Sequence, residues 1–258
     1  MRGAGDAMRA VMRNVRPLPA PPRAVTFDFH DTVAVAPRWF ALEVRELPTA
    51  TLHALRDAGE VAWDAARDDE ATAAYRAMRA AVAVSGIERD ALDGTQHTLR
   101  AVGVAVPDEI VSATIYRLMR DARADAHPRP GIAEAVRTLR DAGMPLAVVS
   151  SAVYHPFLEW CLTEWGLREA FVAVVSSASC GYYKSHPGIY RHTLDLLRCA
   201  PKEVVHVGDS YRYDVEAAHA LGIRTVWLNL RGEDRPDNEA DLTIPDLDGL
   251  ASRLLNGG

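Results

Sequence analysis

Asp28 ends an apolar run in Val25-Thr26-Phe27-Asp28-Phe29-His30-Asp31-Thr32-Val33, and two further acids, Asp209 and Asp214, lie in Gly208-Asp209-Ser210-Tyr211-Arg212-Tyr213-Asp214. A carboxylate with an ordinary pKa of about 3.9 is already ionised at neutral pH, so Asp28 can act as a nucleophile without a separate activating base. Asp209 and Asp214 would add two negative charges nearby, and unit charges about 4 Å apart repel by about 4 kcal/mol at an effective dielectric of about 20. Such a cluster calls for a cation, and oxygen-only donors favour Mg²⁺, which Asp28 and Asp209 could share. Ser150-Ser151 follows another apolar run. Lys184 is one of only two lysines, with Lys202, in a chain that otherwise takes its positive charge from Arg.

These residues need a scaffold that brings them to one edge. Apolar runs of strand length recur at 24–27, 146–149, 172–175, 204–207 and 225–228. Helical spacing separates the later ones: Ile132, Val136 and Leu139 share a face before the stop at Gly143, and helices are expected over 189–197 and 215–221. Alternation of this kind predicts an α/β fold, a doubly wound parallel sheet with helices on both faces. Ligands of such sheets bind beyond the carboxyl ends of the strands, which is where the polar residues above fall.

About 120 residues separate the first two strands, far more than a crossover connection needs. Ala71, Ala74, Tyr75, Met78 and Val82 keep helical spacing there, as do Val111, Ile115, Leu118, Met119 and Ala122 after a Pro107 start. An all-helical subdomain is therefore expected at 35–126, with Pro128, Pro130 and Gly131 marking the return. The α/β core takes 24–34 and 127–258. Residues 1–23, rich in Arg and Pro, read as a loosely ordered tail.

Composition narrows the function. The chain has 258 residues, 48% hydrophobic and 25% charged, with a formal net charge of −6. That is ordinary globular usage without the basic surface that non-specific nucleic-acid binding requires. No run is long and apolar enough for a membrane span or a secretory signal, and Cys161, Cys180 and Cys199 show no metal-binding or disulfide spacing. A cytoplasmic enzyme acting on a small molecule is the expectation, with oligomeric state left open.

In this order, the segments around Asp28, Ser150, Lys184 and Gly208-Asp209…Asp214 resemble the four motifs of the haloacid dehalogenase superfamily. The resemblance runs from about residue 24 to the C-terminus. The helical insertion looks like the family's cap, and Pro130-Gly131 and Asp241-Leu242-Thr243-Ile244-Pro245 look like its usual punctuation. It implies a Mg²⁺-dependent phosphatase acting on a small phosphorylated metabolite through a phosphoaspartyl intermediate on Asp28. Ser150 and Ser151 would hold phosphate, helped by N–H groups at the next helix start. Lys184 would face both phosphate and nucleophile. The metal would be held by Asp28, the backbone carbonyl of His30, Asp209, and Asp214 directly or through water. Taken alone, Asp214 fits a helix cap equally well.

His30 departs from the pattern, because phosphatases of this family usually carry a second Asp there as acid and base. An imidazole with an ordinary pKa near 6.5 can do both jobs. Asp31, one residue further, should point elsewhere. The dehalogenase branch has an aromatic residue at this position and needs no metal; the phosphonate-cleaving branch uses a cap lysine, and neither lysine here lies in 35–126. Three alternatives stay open: transfer of the phosphoryl group to an acceptor other than water, as in a phosphotransferase or mutase, a dehalogenase of the same superfamily, and a phospho-ligand-binding or regulatory protein that has lost catalysis. Arg38, Trp39 and Phe40 are the first candidates for substrate contact, although Trp39 and Phe40 also fit helix packing.

Overall fold

The computed structural model describes residues 20–256. Six strands form one parallel sheet: β1 (Ala24–Phe27), β4 (Leu146–Ser150), β5 (Ala173–Ser176), β6 (Val204–Gly208), β7 (Arg224–Leu228) and β8 (Leu242–Ile244). Two short strands, β2 (Ala34–Val35) and β3 (His127–Pro128), pair antiparallel outside it. The order across the sheet is β5-β4-β1-β6-β7-β8. From β1 the chain builds outward first on one side and then on the other, so the order reverses at β1. Crossovers on its two sides diverge there and leave a crevice at its carboxyl end. The doubly wound α/β expectation is met.

Strand boundaries differ from the apolar runs in instructive ways. Ser150 and Gly208 are the last residues of their strands, extending ladder pairing by one position. Val172 is 63% exposed, and the strand instead occupies Ala173–Ser176. Leu242–Ile244, read from sequence only as punctuation, pairs with β7 as the edge strand.

Between β2 and β3 the chain is helical: Pro37–Ala41, a π-helical stretch Leu42–Glu46, then Leu47–Asp57, Asp68–Ser85, Ala91–Ala101 and Asp108–Asp121. The 68–85 helix buries Ala71, Tyr75, Met78 and Val82, the positions whose spacing announced it. The 108–121 helix follows Pro107 and buries Val111, Ile115 and Met119. Apolar packing is continuous from these helices into the sheet. Trp39 lies flat on Phe157, ring centroids 4.7 Å apart, and Phe29 meets both rings edge-on.

The two crossings between sheet and helices are tied together. Asp31 adopts a left-handed φ of 57°, a conformation that costs an L-residue other than Asn or Asp more. Its carboxylate accepts from Arg129 Nη2 at 2.7 Å, while the Arg129 amide donates to Val33. Of the segment expected to be a tail, residues 1–19 lie outside the described residues; Ala20 and Arg23 bond to Arg224 and Glu203.

Candidate active site

Asp28 extends β1 past its last ladder residue, and its amide donates to Val207 of β6 at 2.8 Å. Register pairs Phe27 with Val148 on one side and Val207 on the other. The carboxyl ends of β4 and β6 therefore flank Asp28, bringing in Ser150 from one and Asp209 from the other. Carboxylate oxygens of Asp28, Asp209 and Asp214 lie within 4.8 Å of one another. Lys184, 2% exposed, donates from Nζ to Asp28 Oδ1 and, at 2.6 Å, to Asp214 Oδ1. Asp28, Lys184, Asp209 and Asp214 thus converge on one point.

The three carboxyls are not equivalent. Burial pushes Asp28 up to about 7, with Asp214 adding to it, even though Lys184 pulls it down. Asp209 rises to about 8, again mainly through burial, with Asp28 and Asp214 adding to it. Asp214 is equally buried, but Lys184 and His206 outweigh that burial and hold it at about 2. Hydrogen bonding explains the split. Asp214 accepts from Lys184 and His206 on Oδ1 and from the Ser210 amide on Oδ2 at 2.9 Å. The Asp209 carboxylate takes no hydrogen bond among the described residues, while Trp227 Nε1 anchors its backbone carbonyl at 3.0 Å.

Two buried acids and a half-buried one facing one ammonium leave negative charge unbalanced, and the donor atoms they offer are all carboxylate oxygens. That chemistry fits a hard divalent ion such as Mg²⁺. Asp214 shares its oxygens with three donors, so Asp209 and Asp28 are the acids with most capacity left for a cation.

Asp214 reaches the cluster through two local devices. It lies in a π-helical stretch, Tyr211–Glu216, that begins four residues before the helix expected over 215–221 and so takes Asp214 inside the coil rather than at its cap. Such widened turns are frequent at functional sites. It also packs against the end of β6, where a Cβ at Gly208 would collide with its Cγ. Only glycine leaves that space.

Ser150, 3% exposed, and Ser151 line the cavity above Asp28. Ser151 Oγ also accepts the Lys184 amide at 3.2 Å, joining the loop after β4 to the lysine loop. His30 stands at the cavity wall with its ring stacked on Phe40, centroids 4.0 Å apart and 12° from parallel. Burial lowers its pKa, Asp31 opposes that and Arg129 reinforces it, so the imidazole is mainly neutral at pH 7. Asp31, directed to Arg129, is engaged elsewhere, as expected from its position.

A cavity of about 480 Å³ opens above this floor. Phe40, 43% exposed, faces it, and Trp39 reaches it from the packed interior. Arg38 does not line it; its amide bonds to Asp125 instead. Glu43, Arg79, Tyr183, Tyr213 and the loop 229–233 contribute to the wall, and none was marked by sequence pattern. His155 bonds Ser176 at the start of its helix, and Cys180 bonds the Tyr182 carbonyl, so both stand apart from the chemistry.

One buried chain behind the floor also escaped sequence reading. Thr26 and His206 are paired across β1 and β6, Thr26 Oγ1 lying 2.8 Å from His206 Nδ1, and His206 Nε2 lies 3.2 Å from Asp214 Oδ1. Burial lowers the His206 pKa and the ring is fully enclosed, so it is neutral. Ionised Asp214 can only accept, which puts the proton on Nε2 and makes Nδ1 the acceptor of the Thr26 hydroxyl. Each is the lone polar residue in its strand's run of core residues, and that was the available signal. Thr26→Val keeps the shape and removes the donor; it is expected to cost about 1–3 kcal/mol in urea unfolding. Imidazole ¹⁵N shifts should report the Nε2–H tautomer in the parent protein, and an Nδ1–H tautomer or an imidazolium there would reject the relay.

Comparison with known proteins agrees with this geometry. The chain is 32% identical over 136 residues, 52% of its length and 53% of the relative's, to haloacid dehalogenase-like hydrolase domain-containing protein 3 of Bos taurus. It is 36% identical over 110 residues, 42% of this chain and 43% of the relative, to a phosphoserine phosphatase of Thermus thermophilus. It spans about half the length of the curated relatives it matches. A crystal structure of a HAD phosphatase from Thermococcus onnurineus superposes with a TM-score of 0.60 at 26% identity, covering 90% of this chain and 97% of that one. The haloacid dehalogenase-like hydrolase profile matches residues 22–222. With that match over most of its length, and with the strand-end acids and lysine assembled as described, the chain belongs to the haloacid dehalogenase-like hydrolases.

Proposed function

We propose that the chain hydrolyses a small phosphomonoester through a phosphoaspartyl intermediate on Asp28, with Mg²⁺ as cofactor. The observation that carries this reading is the Asp28–Lys184–Asp214 contact with Asp209 alongside, at the sheet's reversal point and on the floor of the cavity. Asp28, Asp209, Asp214 and the backbone carbonyl of His30 would hold the cation. When bound, the ion supplies positive charge to acids and phosphate oxygens that would otherwise repel. The helices over 35–126 act as the cap, and the cavity between them and the sheet receives the substrate.

In the first step an Asp28 carboxylate oxygen forms a bond to phosphorus as the ester P–O bond breaks. Lys184 holds the nucleophile in place and balances charge on the transferring phosphoryl oxygens, and Ser150 and Ser151 donate to those oxygens. The leaving oxygen takes a proton from His30. In the second step water gives a proton back to His30 and attacks phosphorus, breaking the bond to Asp28 and releasing phosphate. The cap keeps bulk water from the intermediate and contacts the departing group through residues such as Phe40.

A second reading draws on the same histidine. His30 is stacked against Phe40 and mainly neutral, so its acid form is scarce at pH 7. That arrangement also suits a protein that binds phosphorylated ligands with little turnover, or one that passes the phosphoryl group to an acceptor other than water.

Asp28→Asn should abolish Mg²⁺-dependent hydrolysis of p-nitrophenyl phosphate; wild-type rates in that variant would reject the nucleophile. His30→Ala should slow an alkyl phosphate far more than the aryl ester, whose leaving group needs no proton. Equal losses would remove the acid–base role, and no turnover by the parent protein at any pH would favour the binding module. Because Asp28 and Asp209 are raised to about 7 and about 8, both are partly protonated near neutrality. Cation binding needs them ionised, so Mg²⁺ affinity should rise with pH through this window. Calorimetry in buffers of different protonation enthalpy should show net proton release.

A further inference from the structure

The hydrolase reading gives no role to Glu43, a buried acid of the helical insertion. Glu43 is 6% exposed, lies in the π-helical stretch Leu42–Glu46 and faces the cavity. Among the described residues its carboxylate bonds to no other side chain. Both oxygens accept from the Val153 amide at 3.1 Å, and Oε1 also lies 3.3 Å from the Tyr154 amide. Those amides belong to the loop that leaves β4 directly after Ser150 and Ser151.

The rest of the loop is gripped just as completely. The Val153 carbonyl accepts from the Ala91 amide at 2.9 Å, so the insertion holds both polar groups of that peptide residue. On the opposite side the Ala152 carbonyl accepts from Ala178 and from Ser177 Oγ, both at 3.1 Å. Glu43 is fixed in turn: its own carbonyl accepts from Tyr75 Oη at 2.8 Å, on the 68–85 helix. A line of hydrogen bonds thus runs from the middle of the insertion to the segment proposed to hold phosphate.

We infer that Glu43 is a positioning residue: its carboxylate clamps the Val153 and Tyr154 amides and thereby sets the shape of the Ser150–Ser151 phosphate loop from the insertion side. This rests on the proposed phosphomonoesterase reading for the identity of the bound group. A carboxyl group suits the task because its two oxygens offer several acceptor sites to converging N–H donors, and it keeps acceptor capacity whether or not it carries a proton. Burial raises the Glu43 pKa to about 8, opposed by the Val153 amide and Arg79, so this acid is kept inside against its solvation preference. A purely packing position would be better served by an apolar side chain.

The test compares Glu43→Ala and Glu43→Gln with the full-length parent protein in Mg²⁺. Three readouts are used: hydrogen exchange at the Val153 and Tyr154 amides, inhibition by inorganic phosphate, and KM and kcat for p-nitrophenyl phosphate. In Glu43→Ala both amides should lose protection, and the phosphate inhibition constant and KM should rise together by about tenfold, with a smaller change in kcat. Glu43→Gln, which keeps one acceptor oxygen, should fall between and serves where the alanine variant does not fold. Unchanged amide protection would overturn the clamp. Lost protection with unaltered phosphate inhibition would reduce Glu43 to a structural tie. A higher KM with unaltered phosphate inhibition would mean that Glu43 touches the departing group, since inorganic phosphate has none. If the parent protein shows no turnover, the hydrolase reading fails, and phosphate affinity by calorimetry with the same exchange data still decides the clamp.

Discussion

A single ammonium held out of water between two carboxylates governs the carboxyl edge of this sheet. Lys184 is 2% exposed and could not be buried with its charge alone, because desolvating an isolated ammonium is prohibitive. Asp28 and Asp214 offset that cost, and their negative charge raises the Lys184 pKa above its ordinary value although burial lowers it. The same contact joins β1, the lysine loop and the segment after β6. Without the pair of acids the lysine would have to leave, and without the lysine the acids would have to take up protons or separate.

The remaining architecture serves that contact from behind. The reversal of strand order at β1 puts Asp28 between β4 and β6, so no long loop has to deliver the residues around it. Gly208 leaves the space that Asp214 fills. Thr26 and His206, inside the sheet, fix which Asp214 oxygen faces the lysine. Asp209, with no donor of its own among the described residues, is left as the acid that a cation would satisfy.

Much of this could be read from residues alone, for identifiable reasons. Asp28, Ser150, Lys184 and Asp209 each follow or end an apolar run, and in a parallel sheet those endings share one edge. The 68–85 and 108–121 helices declared themselves by period, since apolar residues three and four apart line up on one face only when the chain coils. What stayed hidden depends on contacts between segments distant in sequence. The Thr26–His206 pair is a matter of register, Glu43 is 110 residues from the amide it grips, and Leu242–Ile244 becomes a strand only because β7 offers it an edge. Asp31 and Phe40 mark the reach and the limit of local reasoning: the first turns toward Arg129 as its place in the run suggested, while the second faces the cavity rather than the packed interior.

The two π-helical stretches, Leu42–Glu46 and Tyr211–Glu216, carry Glu43 and Asp214. A π turn accommodates one residue more than an α turn, and removing that residue restores the regular coil. A one-codon deletion in either stretch would therefore leave a good helix whose flanking faces keep their direction, while the side chains carried by the stretch itself are redirected. Both acids hold their places through a defect in helical periodicity. When relatives are aligned, a single-residue gap at either point thus signals a change in the chemistry the segment presents rather than neutral loop drift.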